Sequence, residues 1–178
     1  MRPDWKHIIQ DGWTLFLDRD GVINRRVIDG YVTSWEEFEF LPEVLEAMRL
    51  LARRFKYIMV ATNQQGVGKG LMTMEDVDAI HDRMCLEIEA HDGRIDGLLV
   101  CPQLASDPEN YRKPKPDMAF MAQEFYPEID LERSVMVGDS TTDIEFGHNA
   151  GLKTVFIGER HPDADDSFDT LYDFAKSL

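Results

Sequence analysis

The chain is expected to fold as an α/β protein: a Rossmann-like, doubly wound parallel sheet of about five strands, helices on both faces, no large cap domain. Three observations lead there. Short apolar runs of β-forming residues alternate along the 178 residues with longer stretches of helical periodicity, the pattern of successive βαβ units. Several of those runs break off abruptly in polar residues, at Asp18 and Asp20, at Thr62 and Asn63, and at Asp139. No internal repeat, low-complexity linker or second compositional block interrupts the alternation, so residues 1–178 read as one domain, large enough for a core of its own.

Each element follows from local chemistry. Leu15-Phe16-Leu17 is a short β-forming run bounded by turn residues, hence a buried first strand. The segment Arg25 to Glu39, with Asp29-Gly30-Tyr31 in it, is too long for a plain strand–helix connection and is expected to carry function. Pro42 opens a helix whose Val44, Leu45, Met48, Leu51 and Ala52 share a face. Lys56 to Ala61 is a second strand, followed by the glycine-rich loop Gln64 to Gly70. Thr73 with Asp76 forms a helix-start signature, and Val77, Ile80, Met84 and Ile88 carry the helical stripe on to Gly93. Leu98 to Cys101 is a third strand, and the irregular Pro102–Pro116 segment leads into a short helix ending at Phe125. Ser134 to Val137 is a fourth strand, Thr141 to Ala150 a helix stopped by Gly151, and Lys153 to Ile157 a fifth strand. Beyond His161 the tail is acidic. Asp163-Ala-Asp-Asp166 reads as a solvated, mobile surface before a last helix, Phe168 to Ser177, docked through Leu171, Phe174 and Ala175.

Charge narrows the function. Lysine and arginine number 19 against 34 acidic residues, a formal charge of −15. Nucleic acid and anionic membranes require basic patches, so neither is expected as a partner. An anionic substrate must be drawn in by local cations, with global repulsion screened over about 8 Å. Cys85 and Cys101 make no disulfide framework and read as reduced thiols. Residues 1–11 lack the apolar core of a signal peptide, and no run approaches membrane-spanning length. A cytoplasmic monomer is expected.

The chemistry gathers where the strands end, because doubly wound sheets bind ligands outside the carboxyl edge. Two unit charges about 4 Å apart repel by roughly 4 kcal/mol at an effective dielectric near 20, so Asp18 and Asp20 need a cationic partner. A divalent metal with oxygen ligands meets that need. Transfer of a phosphoryl group to a carboxylate gives every piece a purpose. Asp18 is the nucleophile that forms an aspartyl-phosphate. Asp20 protonates the leaving oxygen and then deprotonates the attacking water. Mg²⁺ is held by Asp18, Asp139 and the backbone carbonyl of Asp20. Thr62 and Lys113 bind the equatorial oxygens, and Asp143 stands behind them, orienting Lys113 or the metal waters.

Asp18-Arg-Asp-Gly21, Thr62, Lys113 and Gly138-Asp-Ser-Thr-Thr-Asp143, in that order, resemble the four motifs of the haloacid dehalogenase superfamily, and the acid at position 20 its phosphatase branch. Phe16-Leu-Asp-Arg-Asp-Gly-Val-Ile-Asn24, Gly30-Tyr-Val32, Thr62-Asn-Gln64, Cys101-Pro102 and Arg112-Lys-Pro-Lys-Pro116 are similar to the D-glycero-D-manno-heptose-1,7-bisphosphate 7-phosphatases and the related histidinol-phosphate phosphatases. The similarity spans roughly Trp13 to Gly158. It implies a small phosphorylated sugar as substrate, read by Arg112, by Asp29-Gly30-Tyr31 and by Asn63-Gln64. A guanidinium and amide donors suit a second phosphate or a polyol. One departure stands out. Such relatives carry a structural zinc on Cys-x-His and Cys-x-Cys pairs, whereas here only Cys101 remains, with Gln103, Glu109 and Tyr111 at the other positions. One thiolate cannot close a tetrahedral zinc site. No zinc is expected, and packing through Tyr111 and Leu104 is expected to hold the loop.

Other features read more simply. Gly66, Gly68 and Gly70 with Lys69 fit neither nucleotide-binding spacing and suggest a flexible rim loop. His81 and His91 suit surface or helix-end positions, His148 a helix face, and Cys85 core packing. Three functions compete: a heptose bisphosphate 7-phosphatase first, a histidinol-phosphate phosphatase second, and a phosphosugar-binding protein without activity third. A histidinol-phosphate pocket should offer acids where a bisphosphate pocket offers arginine.

Overall fold

The computed structural model describes all residues 1–178 and contains one six-stranded, fully parallel sheet. Its strands are β1 (Thr14–Leu17), β2 (Tyr57–Asn63), β3 (Gly97–Cys101), β4 (Ser134–Gly138), β5 (Lys153–Ile157) and β6 (Asp166–Phe168). The helices are α1 (Trp5–Ile8), α2 (Val44–Ala52), α3 (Met74–Ala90), α4 (Asp117–Phe125), α5 (Thr141–Ala150) and α6 (Leu171–Lys176). None is long and apolar enough to cross a membrane.

The spatial order β3-β2-β1-β4-β5-β6 makes β1 the strand at which the winding reverses. Alternation along β1 divides the core. Leu15 and Leu17 join Val44, Met48, Ile80 and Phe174 on one face, while Phe16 joins Met118, Ala122 and Phe146 on the other. Burial of each such side chain is worth about 1.5–3 kcal/mol, which pins the strand register. Leu17 lies opposite both Val60 and Val137. In that register Thr62 and Asp139 follow one step beyond the partners of Asp18.

Helix starts and stops lie where their caps place them. Thr73 and Asp76 form a reciprocal capping box on α3, Ser140 and Asp143 form one on α5, and Gly151 ends α5. The long β1–α2 connection is ordered by aromatic packing: Trp35 stacks on Phe38 at 4.9 Å, and Phe40 meets Phe38 edge-on at 5.0 Å. Between β1 and α2 it holds a single 3₁₀ turn, Trp35–Glu37, and isolated bridges from Asn24 to Asp20 and Phe40.

The sheet has one strand more than expected, and the tail accounts for it. The segment 163–166, expected as a mobile surface, is anchored: Asp165 accepts from the Thr154 amide at 2.8 Å. Asp166 accepts from the Trp5 indole at 2.9 Å and the Arg2 guanidinium at 3.0 Å. Trp5 and Ile9 are buried beneath it. A three-residue strand is too short to show an alternation, and Asp166 looks like a solvent-facing acid until its partners Arg2 and Trp5, over 150 residues away, are known.

Candidate active site

The carboxyl edge of the sheet and the loops that follow it bring Asp18, Asp20, Thr62, Lys113, Asp139 and Asp143 together, although 125 residues separate the first and last. Asp18, Asp139 and Asp143 each present an oxygen within 4.8 Å of the others. Gly21 makes that approach possible. It adopts φ +87°, and a Cβ there would fall 1.8 Å from Asp139 Oδ2.

One oxygen of Asp18 is held and the other is left for chemistry. Oδ1 accepts from the Arg19 amide at 2.8 Å and lies 2.9 Å from Lys113 Nζ, while Oδ2 has no protein partner. Burial pushes the Asp18 carboxyl well up; Asp143, Asp139 and Asp20 add to the rise, and Lys113 only opposes it. Asp139 is raised chiefly by burial as well, against the pull of Arg26. This cluster therefore carries more negative charge than its cations neutralise.

Lys113 is itself buried, with Nζ 2.6 Å from Asp143 Oδ1. Burial alone would lower its pKa, but Asp143 and Asp18 together hold it above the usual lysine value. Its backbone is fixed by Asn63, which accepts from the Lys113 amide at 2.9 Å and donates to its carbonyl at 3.1 Å. Asp143 has both oxygens occupied: Oδ2 accepts from the Ser140 hydroxyl at 2.8 Å and from the amides of Asp139 and Ser140. It supports Lys113 and the β4–α5 turn at once.

Asp20 is bound on both oxygens. Oδ1 accepts from Arg19 at 3.0 Å and Asn24 at 2.9 Å, and Oδ2 from Gln64 at 2.8 Å. Burial would raise its pKa, but the Arg19 charge and the hydrogen bonds from Asn24, Arg19 and Gln64 outweigh that and lower it. Gln64 is buried and does not line the cavity, contrary to the expected substrate contact. Its amide is spent on Asp20 and, at 2.9 Å, on Thr62 Oγ1. The neighbouring Gln65 faces the cavity instead.

A cavity of about 720 Å³ opens above these groups. Asp29, Gly30, Tyr31, Asn63 and Arg112 line it, as do Lys69 and Arg26. Asp29 reaches its place through a left-handed backbone at φ 54°. The Arg112 guanidinium donates only to the Gln65 amide oxygen, at 3.3 Å, and Lys69 sits 5.2 Å from the centre of the Tyr31 ring. Neither is paired with a carboxylate. Arg26, which the sequence offers no reason to single out, donates to both Asp139 oxygens at 2.8 and 3.1 Å and to the Asp20 carbonyl at 3.4 Å.

The glycine-rich loop is packed rather than loose. The Gly68 amide donates to Pro102 O at 3.0 Å, and a Cβ there would lie 2.8 Å from that oxygen. Next to it, hydrogen bonds supplement the expected packing of the Pro102–Pro116 loop. Gln103 Oε1 accepts from the Tyr111 amide at 3.3 Å and lies 3.8 Å from Cys101 Sγ, and its Nε2 donates to the Glu109 carbonyl at 3.4 Å. Tyr111 closes the loop by donating to Val100 O at 2.8 Å. Gln103 thus ties together Cys101, Glu109 and Tyr111. Of the histidines, His91 caps α3 and His148 is exposed on α5, but His81 is buried inside α3, against expectation. Its partner is Arg19, a residue whose position between two acids in a turn suggests solvent exposure.

The chain is similar to known proteins. A HAD-hydrolase-like family model matches residues 110–170. The D-glycero-alpha-D-manno-heptose-1,7-bisphosphate 7-phosphatase of Mycobacterium bovis is 42% identical over 173 residues, covering 93% of this chain and 91% of that protein. The D-glycero-beta-D-manno-heptose-1,7-bisphosphate 7-phosphatase of Rhodopseudomonas palustris is 35% identical over 77% of this chain and 78% of its own length. Among solved structures, the D,D-heptose 1,7-bisphosphate phosphatase of B. bronchiseptica, complexed with magnesium and phosphate, superimposes with a TM-score of 0.84. It is 29% identical and covers 93% of this chain and 97% of its own. With identity at this level along nearly the whole length, the chain belongs to the heptose-1,7-bisphosphate 7-phosphatase family of HAD-like hydrolases.

Proposed function

We propose that this protein is a Mg²⁺-dependent phosphatase that removes the 7-phosphate of D-glycero-D-manno-heptose 1,7-bisphosphate through an aspartyl-phosphate on Asp18. The observation that carries the substrate is the pair of unpaired cations, Arg112 and Lys69, in the cavity of a chain with net charge −15. Of the carboxylates lining that cavity, only Asp29 lies outside the catalytic cluster. A substrate with a second anionic end suits such a lining; the cationic amine of histidinol phosphate suits it poorly.

The residues present fit a divalent cation. Asp18 is a buried and Asp139 a partly buried carboxylate, their raised pKa values reflect charge that no protein group fully neutralises, and hard oxygen donors suit Mg²⁺. Asp18, Asp139 and the Asp20 carbonyl would hold it, and it would offset charge between nucleophile and phosphate. The chain's own groups do the rest. Lys113 and Thr62 orient the phosphoryl oxygens, and Asp18 Oδ2 attacks phosphorus as the ester oxygen leaves with a proton from Asp20. Asp20, returned to the carboxylate that its surroundings favour, then takes a proton from water. That water attacks phosphorus and releases inorganic phosphate and free Asp18.

Phosphate release should be compared across the α and β heptose 1,7-bisphosphates, histidinol phosphate and simple hexose phosphates. The expected outcome is the largest kcat/KM on a heptose bisphosphate, and a preference for histidinol phosphate overturns the assignment.

Two predictions concern the cation. Arg26 addresses the same Asp139 and Asp20 oxygens, so Arg26→Gln should bind Mg²⁺ about tenfold more tightly in substrate-free calorimetry, equivalent to ~1.4 kcal/mol. Unchanged affinity would mean the guanidinium moves aside without cost. The second concerns pH. Raised carboxyl pKa values in the folded state make the metal-free protein lose stability as pH rises from the ordinary carboxylate range through those values. The thermal shift given by Mg²⁺ should therefore be larger at pH 7.5 than at pH 5, and Asp139→Asn should shrink it. A shift independent of pH contradicts this.

A further inference from the structure

The fully buried guanidinium of Arg19 and the buried imidazole of His81 take no part in the mechanism so far. Arg19 lies between the proposed nucleophile and the proposed general acid, yet its side chain has no exposed surface and does not line the cavity. Nη2 donates to Asp20 Oδ1 at 3.0 Å, and Nη1 lies 3.1 Å from His81 Nε2. The guanidinium carbon is 6.0 Å from the centre of the Phe38 ring, and Nε has no hydrogen-bond partner. A guanidinium can only donate, so Nε2 of His81 must be the acceptor and the ring proton must sit on Nδ1. Burial and the Arg19 charge push the His81 pKa down to about 3, which keeps the ring neutral.

We propose that His81 is a positioning residue that, through Arg19, sets the orientation of the general acid Asp20. This rests on the proposed phosphatase reading, in which Asp20 protonates the leaving oxygen. A buried guanidinium needs partners in fixed directions, because each unmet donor costs about 1–3 kcal/mol. Asp20 satisfies one arm. A carboxylate on the other arm would compete with Asp20 for the same cation, whereas a neutral imidazole anchors Arg19 without diverting its charge. Without that acceptor, Arg19 has reason to turn from Asp20 towards other oxygens. Asn24 and Gln64 would still bind the carboxylate, but its third restraint would be gone. The long α3 helix, anchored in the core by Ile80, Met84 and Ile88, supplies the rigid base.

The test uses leaving groups that differ in their need for a proton. A sugar alkoxide needs general-acid help to depart, and p-nitrophenolate does not. The parameter kcat/KM reports formation of the aspartyl-phosphate and excludes its later hydrolysis. In His81→Leu, kcat/KM for the heptose bisphosphate should fall about 10–100-fold, a partial loss of the roughly 10²–10⁴-fold that general-acid help supplies. For p-nitrophenyl phosphate it should change less than about threefold. His81→Gln, which restores an acceptor, should recover most of the sugar-phosphate activity, and Arg19→Lys, which cannot bridge both partners, should repeat the selective loss. Equal losses on both esters would assign His81 a purely structural role, and no loss on either would also overturn the proposal. If the leucine variant fails to fold, the comparison of His81→Gln with the shorter His81→Asn carries the same test. Nitrogen NMR of the wild-type protein gives a readout independent of turnover. His81 should keep a bare Nε2 and a protonated Nδ1 down to pH 5, and the opposite tautomer or a titration near pH 6.5 overturns the proposal. A wild type that is inactive on every ester but shows the expected tautomer instead defeats the phosphatase reading.

Discussion

Replacing Asp18 with asparagine is expected to leave a folded protein whose turnover falls by about 10⁴-fold or more, the scale seen when a covalent nucleophile is removed. The fold should survive because the change removes a buried charge whose pKa is already driven up by burial and by three neighbouring carboxylates. The amide keeps an oxygen to accept from the Arg19 amide and from Lys113, and Lys113 retains Asp143 at 2.6 Å. Metal-free thermal stability should therefore equal or exceed that of the wild type near pH 7. The difference should narrow as pH falls and the native carboxyl takes up its proton. Single-turnover assays with acid quench would show no phosphorylated protein. Retained turnover in a pure, refolded preparation would move the nucleophile elsewhere.

The largest stability effect is expected at Lys113. Its ammonium is buried between Asp18 Oδ1 at 2.9 Å and Asp143 Oδ1 at 2.6 Å. Removing one member of such a buried cluster leaves uncompensated charge, at a cost of about 3–5 kcal/mol. Lys113→Met should lose that much in urea unfolding at pH 7, and less at lower pH, where the stranded carboxylates can be neutralised by protons. Its kcat should fall about 10²–10³-fold, as when a donor aimed at developing charge is lost. The double variant Lys113→Met/Asp143→Asn should recover more than half of the stability and little of the activity, because the neighbour's charge is gone but the phosphate donor is still missing. If the single variant costs under about 1 kcal/mol, the two contacts hold far less strain than a pair in this environment requires.

How much of this was legible beforehand varied with the range of the interaction. The acids at 18, 20 and 139 were legible because charged residues at the ends of buried β-runs have few bland explanations. The capping boxes at Thr73 and Ser140 are written within four residues, and α3 and α5 begin where they stand. Gln64 was assigned to the wrong neighbour. Sequence adjacency to Thr62 and Asn63 suggested a substrate contact, but alternation along the chain turns its amide inward to Asp20. The Arg26–Asp139 and Arg19–His81 contacts had no local signal, since those partners lie 113 and 62 residues apart.

The sequence by itself determined the fold class, the four motifs and the chemistry they can perform, because hydrophobic periodicity and caps act over a few residues and the motif residues are chemically unusual where they stand. Only the tertiary structure decided which oxygens are free and which are already bonded, that the acidic tail is a sixth strand, and that unpaired cations line the cavity. Those outcomes depend on burial and on partners brought together by the strand register, and a charge in water and the same charge in a core look identical in one-letter code.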